Sequence, residues 1–197
     1  MEILTVNSSK IKKRIMISGN ETIFLAGFGG GECDLEIMLK NDNASCSLYG
    51  IIIGKNGDNF RISTVSLHKG ISTYSYIHIK SVLDGSSHLV YDGIIKVEKG
   101  ARYSDSYLKN DNLLIGDNAS VESSPKLEIL DDDVKASHGV TISNIDSESI
   151  FYLMARGLSE QSAKDLYIKG FANDIIKNVS SRVELPSEIL KYSYAKI

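Results

Sequence analysis

Three consecutive aspartates, Asp131, Asp132 and Asp133, precede Ser137 and His138. Carboxylates and an imidazole together can ligate a divalent ion, so this is the segment densest in chemistry. Neighbouring side chains in a strand point to opposite faces, so the same aspartates also read as a turn of solvated charges. Ser137 and His138 are adjacent, which makes no nucleophile–base pair by itself and implies no oxyanion site. His68, His78 and His88 recur every ten residues. A coil of ten residues would stack them into a metal-binding ladder. Against that, His78 lies between Ile77 and Ile79 and points outward if they point in, and His68 and His88 fall at strand ends. They read as surface or structural histidines. The glycine cluster Gly27-Phe28-Gly29-Gly30-Gly31-Glu32 lacks the lysine and the following helical pattern of a phosphate loop, and reads as a tight turn. Neither a G-x-S-x-G elbow nor an H-E-x-x-H motif occurs.

Composition narrows the classes further. The chain has 197 residues, a formal charge of −3, two cysteines and four histidines. Two cysteines cannot build a disulfide framework or a four-cysteine zinc site. Cys33 and Cys46 read as small buried apolar residues. No apolar run approaches the ~18 residues of a membrane span. The N-terminus lacks the charged-then-apolar order of a signal peptide. Basic residues are scattered, which argues against a nucleic-acid surface. The expectation is a cytoplasmic domain with no membrane or nucleic-acid partner.

The elements that must position these residues change character near residue 144. Residues 1–144 read as a β-rich core and 145–197 as a small helical domain. Strands are expected at 21–26, 35–39, 46–53, 60–67, 75–80, 88–91, 94–97, 113–115 and 127–130, separated by Gly-, Asn- and Asp-rich turns such as Asp92-Gly93. Such short alternating strands fit an antiparallel sandwich or a stack of coils forming a β-helix. Gly70, Gly85, Gly100 and Gly116 recur at intervals of 15, 15 and 16, which leans towards coils. After residue 144, Asp146 is set to cap a helix that stops at Gly157. Ser159 is set to cap a second one. Ala163, Tyr167, Phe171 and Ile175 lie at i, i+4 spacing, with Leu166, Ile168, Ala172, Ile176 and Val179 beside them. So wide a stripe fits a helix wedged between the β-core and the first helix, or one that also receives a partner. Pro186 marks a break before a short tail, 187–197, with room for one more helix.

A succession of short segments carries a resemblance. Leu113-Leu114-Ile115-Gly116, Ser124-Pro125-Lys126-Leu127-Glu128-Ile129, Asp132-Asp133-Val134-Lys135-Ala136-Ser137-His138-Gly139, Ile150-Phe151-Tyr152-Leu153-Met154-Ala155-Arg156-Gly157-Leu158-Ser159 and Gly170-Phe171-Ala172 follow one another in order. In that order they resemble the C-terminal half of the SufB/SufD family, scaffold subunits of SUF iron–sulfur cluster assembly. The resemblance is strongest over residues 82–180.

It implies a mainly β fold: a right-handed parallel β-helix followed by a small C-terminal helical domain. It implies that the helices dock an ABC-type ATPase, SufC, with Phe151, Tyr152, Arg156, Gly157, Tyr167 and Phe171 as the partner-binding residues. It implies that β-helices pair, with a SufB/SufD-type subunit or a second copy. His138 matches the family's Ser-His-Gly histidine and is the candidate ligand for iron or a nascent cluster. Cysteines of the family would fall at positions 110 and 136, where this chain has Asn110 and Ala136. Fe–S clusters favour thiolate ligands, so a cluster here would draw ligands from a partner or rely on His138 and oxygen donors. The chain begins its β-pattern almost at once and reads as a short, SufD-like member. The expected function is a non-enzymatic scaffold handling a transient iron–sulfur cluster, with no permanently bound cofactor. The alternatives are a structural dimerisation module without cluster chemistry, and a carbohydrate-active β-helix enzyme using Asp105, Asp131, Asp132 or Asp133.

Overall fold

The computed structural model describes residues 1–179 and 184–191. Eleven strands come first: β1 (Glu2–Val6), β2 (Ser9–Ile17), β3 (Asn20–Phe28), β4 (Gly31–Leu39), β5 (Ser45–Gly54), β6 (Asn59–His68), β7 (Tyr74–Leu83), β8 (His88–Val97), β9 (Asp105–Leu114), β10 (Ser120–Ile129) and β11 (Lys135–Asn144). Three helices follow: α1 (Ser147–Ala155), α2 (Glu160–Ile176) and α3 (Ser187–Leu190). Odd strands form one six-stranded sheet in the order β1-β3-β5-β7-β9-β11, and even strands form a five-stranded one, β10-β8-β6-β4-β2. Every pairing is parallel. The chain is therefore a β-solenoid with a few C-terminal helices, and the sandwich alternative falls. None of the described helices is long and apolar enough to cross a membrane.

Ser45 pairs with Tyr74, Tyr74 with Asp105 and Asp105 with Lys135, so successive coils take 29, 31 and 30 residues. The glycine interval of the sequence is half a coil. Gly70 and Gly100 lie at one corner, Gly85 and Gly116 at the other. At two of these corners the backbones nearly touch. A Cβ on Gly116 would fall on the backbone of Gly85, and one on Gly70 would fall on the backbone of Asn41. One corner also needs a left-handed residue in each coil: Asn43 (φ 60°), Ser72 (φ 57°) and Tyr103 (φ 59°). Their N–H groups donate to the next coil, at Ile71, Arg102 and Asp133 carbonyls respectively.

Alternation puts every second side chain into the lumen. The inward columns run straight along the axis. Leu48, Ile77, Leu108 and His138 form one; Cys46, Ser75, Ser106 and Ala136 form the next. Early coils are filled with aliphatic residues such as Leu25, Leu39, Ile52 and Ile62. Later coils become polar inside. Ser81, Asn110 and Asn112 are all fully buried.

The sequence missed β1, β2 and β11, and caught only the ends of β9 and β10. In β9 the inward set includes Ser106, Asn110 and Asn112, so no apolar alternation announces it. Asp92-Gly93 is not a turn but the middle of β8. Gly93 is needed there because a Cβ would press on Tyr91 and Leu108 inside the lumen.

The outer faces differ. The five-stranded face carries cross-strand ion pairs: Lys10–Glu32 at 2.6 Å, Arg14–Glu36 at 2.8 Å, Lys126–Asp92 at 3.3 Å and Lys96–Glu128 at 2.7 Å. The six-stranded face carries Phe24, Ala26, Ile51, Ile53 and Val82, which are covered by Ala172, Ile175, Ile176, Val179, Leu185 and Ile189. Buried Lys80 fastens this contact. Its Nζ donates to the Phe171 carbonyl at 3.1 Å, pairs with Asp174 at 3.1 Å and lies 4.4 Å from the Phe171 ring centre.

Gly116→Ala is expected to destabilise the protein by about 1–3 kcal/mol, because the clash is with backbone and no side chain can rotate away. Gly19→Ala, with nothing within 4 Å of its Cβ, should be near neutral. Urea unfolding of the two variants measures the difference. Equal midpoints would contradict the close-approach account.

Candidate functional site

The solenoid is open at its C-terminal end among the described residues. β10 pairs only with β8, and β11 only with β9. Their lumen-facing side chains have no coil above them. Leu127 is 39% exposed, Ile129 36% and Ile142 52%, and Leu130 beyond them is 63% exposed. Edge strands with free backbone groups and apolar side chains are templates for further pairing.

His138 sits at this open end. It takes the inward register directly over Leu108, yet it is exposed because its column stops there. Its side chain has no hydrogen-bond or ion-pair partner among the described residues. Ala136 lies two residues along the same strand, stacked on Ser106. Asn110 lies one coil below, under Val140. Position 110 is thus far in sequence from 136 and 138, yet lies beside them at one mouth of the lumen.

Asn110 holds this mouth together. Its side-chain oxygen accepts from Asn112 Nδ2 at 2.8 Å and from Ser123 Oγ at 2.8 Å, and its Nδ2 donates to the Ile79 carbonyl at 3.2 Å. Asn112 in turn donates to the Thr141 carbonyl at 3.1 Å and accepts from Ser81 Oγ at 2.7 Å. The network ties strands of both sheets and leaves these buried amides satisfied.

The three aspartates do not converge on His138. Asp131 Oδ2 accepts the Gly100 N–H at 2.9 Å and Oδ1 the Asp133 N–H at 3.3 Å, so this carboxylate builds the corner before β11. Those backbone N–H groups, Gly100 first, hold Asp131 below the usual carboxylate range. Asp132 and Asp133 are exposed. Among the described residues no three His, Cys, Asp or Glu side chains gather as a metal-binding group.

The ten-residue histidine series has no common edge. His68 ends β6 inside the lumen, His78 lies on the outer face of β7, and His88 opens β8, with its Nδ1 2.8 Å from Ser120 Oγ. His68 is fully buried among hydroxyls: Thr73 at 2.7 Å from Nδ1, and Ser75 at 2.9 Å and Ser66 at 3.2 Å from Nε2. Cys33 and Cys46 are buried thiols. Burial pushes them up to about 11 and about 12, so both stay protonated and unreactive.

The helices offer a second surface. Asp146 caps α1 through the Glu148 and Ser149 N–H groups, and Gly157, at φ 96°, follows the helix in the left-handed conformation that ends it. Ser159 caps α2 through the Ser162 N–H. Phe151 is 73% exposed, Tyr152 57%, Met154 42% and Leu166 38%. The Arg156 guanidinium stacks over the Tyr152 ring at 4.8 Å and donates to its hydroxyl at 2.7 Å. Tyr167 is half-buried. Phe171 is half-buried too, with its ring under Lys80. The expected tail helix is α3, and residues 192–197 lie outside the described residues.

A family model, SUF system FeS cluster assembly, SufBD core domain, matches residues 25–171. This chain belongs to the SufBD family. It is 40% identical to the iron-sulfur cluster assembly protein SufD of Escherichia coli (strain K12) over 108 residues, 55% of this chain and 25% of that protein. It is 32% identical over 152 residues to a SufBD family protein of Mycobacterium leprae, 77% of this chain and 17% of that protein. A SufBD family protein of Synechocystis is 30% identical over 151 residues, 77% of this chain and 30% of that protein. The chain thus spans less than a third of the length of each of these relatives. The SufBD match runs from β3 into α2, so it takes in both the open mouth and the α1 face.

Sequence reasoning placed His138 and the two helix caps. It missed the lumen amides Asn110 and Asn112 as a network. The available signal was the strict alternation of Ser106, Leu108, Asn110 and Asn112 against Tyr107, Lys109 and Asp111, concealed because both sets are largely polar.

Burial drives His68 down to about 4 from its ordinary 6.5. The folded state therefore resists a proton that the unfolded state accepts below 6.5. Stability from this group is complete above pH 6.5 and is lost as pH falls from there towards 4. Thermal midpoints of the parent and of His68→Gln across pH 4–7 test this. The parent should lose stability more steeply on the acid side, and parallel profiles would refute the assignment.

Proposed function

We propose that this chain is a non-enzymatic scaffold subunit of SUF iron–sulfur cluster assembly. The observation that carries the reading is the open β10–β11 mouth, apolar and edge-exposed, with His138 at its rim in a SufBD-family chain. In this reading the mouth pairs with a SufB/SufD-type subunit or a second copy. Strand addition at the two edges would satisfy the free backbone groups and cover Leu127, Ile129 and Ile142. The cluster is cargo. His138 supplies an imidazole nitrogen, and the partner supplies thiolates that Asn110 and Ala136 cannot. The α1 face, with Phe151, Tyr152 and Met154, docks the ABC-type ATPase SufC. Aromatic anchors beside an arginine are the usual hot-spot chemistry. Buried Lys80 and the α2–sheet contact then connect ATPase movement to the β-helix. The cellular setting of this reading is the cytoplasm.

Co-expression with a SufC-type ATPase should yield a complex. Phe151→Ala with Tyr152→Ala should weaken it about tenfold or more without altering the thermal midpoint. Failure to co-purify refutes the docking role.

A second reading rests on the missing thiols and on Cys33 and Cys46 being sealed in the core. Here the chain is a pairing module with no cluster chemistry. Anaerobic reconstitution with iron and sulfide, in the presence of a SufB/SufD-type partner, separates the two. A chromophore lost in His138→Ala supports the scaffold; a chromophore indifferent to that change, or none, leaves the pairing module.

A further inference from the structure

On the outer face of the six-stranded sheet, beside the end of α2, lies a cavity of about 420 Å³. It is separate from the β10–β11 mouth and from the α1 face. Tyr49, Tyr76 and His78 line it from the sheet, together with Lys109, while Asp174 and Lys177 line it from the helix.

Its polar groups are organised around two carboxylates. Asp111, only 5% exposed, accepts from His78 Nε2 at 2.8 Å, Lys109 Nζ at 2.9 Å and Thr141 Oγ1 at 2.7 Å. Burial works to raise this carboxyl, and the three hydrogen bonds outweigh it and hold it well below the usual carboxylate range. Asp174 accepts from Lys177 at 2.7 Å and from Lys80 at 3.1 Å. The Lys177 bond, with Lys80 behind it, holds Asp174 down to about 2 against partial burial. Both acids are ionised and their oxygens are engaged within the protein.

What remains free is donors. An ammonium carries three N–H groups, and Lys109 and Lys177 each use one on a carboxylate. The phenols of Tyr49 and Tyr74 have no hydrogen-bond partner among the described residues. The Tyr76 hydroxyl lies 3.4 Å from His78 Nδ1. Among the lining residues Lys109 and Lys177 against Asp174 leave the cavity net positive before His78 is counted, with Asp105 at its edge beside Tyr74. Rings add a flat surface: Tyr49 and Tyr76 centres are 5.9 Å apart, and Tyr76 and Tyr107 6.1 Å.

We propose that this cavity binds a phosphate group, with Lys109 and Lys177 donating from opposite walls and the tyrosine hydroxyls completing the donor set. The buried Asp111–His78 pair is a positioning element that fixes Lys109 and presents the imidazole edge. The tyrosine rings would flank any planar group that the phosphate carries. The charge-assisted bonds that oxyanions form with two ammoniums are among the stronger ones available to a protein surface.

Isothermal titration of the full chain with inorganic phosphate and with phenyl phosphate tests this, up to ~10 mM, where millimolar affinities register. Both should bind, and Lys177→Met and Lys109→Met should each raise the dissociation constant about tenfold. Lys126→Met, on the other sheet, should not. Tighter binding of phenyl phosphate identifies a ring-bearing phosphate ester, and equal binding identifies the free anion. Lys109→Met strips buried Asp111 of a partner, whereas Lys177→Met leaves half-exposed Asp174 its bond to Lys80, so the decision rests on Lys177→Met, whose side chain is 60% exposed at the helix end. No binding of either probe, or binding unchanged in Lys177→Met, overturns the proposal.

Discussion

Ser75 stacks on Cys46, and Ser106 on Ser75, because each coil is hydrogen-bonded in register to the coil beneath it. In-register parallel stacking makes every inward column a single decision repeated along the axis. A bulky residue in one coil demands space in the next. Gly50 is where Ile79 above it needs room, and Gly93 is where Leu108 and Tyr91 do. Corners obey the same rule more strictly, since there backbone meets backbone. Hence the left-handed residues recur at one corner coil after coil, even where the residue is Tyr103, an aromatic for which that conformation is strained.

The same constraint explains why the open end exposes the residues it does. A column that continues is buried; a column that stops is exposed, whatever its residue. Ile142 belongs to the column of Ile52, Ser81 and Asn112, and it differs from them only in having nothing above it. His138 is likewise a lumen residue by register and a surface residue by position. The polar network of Asn110 and Asn112 fits this account. Side-chain amides bonded to Ile79, Thr141 and Ser123 fasten the last coil to those below, where apolar packing from above is missing.

Much of the architecture was legible in the residues. The glycine spacing near fifteen was half a coil, and Asp146, Gly157 and Ser159 read directly as helix ends because capping is local chemistry. Most of β9 was illegible for a physical reason. Strand recognition relies on apolar alternation, and β9 alternates polar against polar, with Ser106, Asn110 and Asn112 inward and Tyr107, Lys109 and Asp111 outward. The histidine decade failed for the opposite reason. A ten-residue interval looked regular but matches no period of a coil that takes about thirty residues, so its members land on different faces. His138 was singled out through the motif around it. Its register over Leu108 required the ladder itself.

The two outer faces show how a solenoid decides where its helices go. On the five-stranded face Lys10, Arg14, Lys96 and Lys126 each meet an acid on a neighbouring strand. Exposed pairs of this kind contribute little to stability, but covering them with an apolar helix would strip water from every charge at once. The six-stranded face instead presents Phe24, Ile51, Ile53 and Val82 in adjacent strands, and α2 covers them. That choice leaves the aromatic and cationic remainder of the same face, from Tyr49 to Lys109, uncovered beside the helix end. Lys80 lies between the two zones. Its stem is buried and its ammonium is shared by Phe171 and Asp174. It thereby couples the position of α2, and of the α1 face packed on it, to the charge arrangement of the open cavity. A displacement of the helix cannot leave Asp174, Lys177 and the cavity wall as they were.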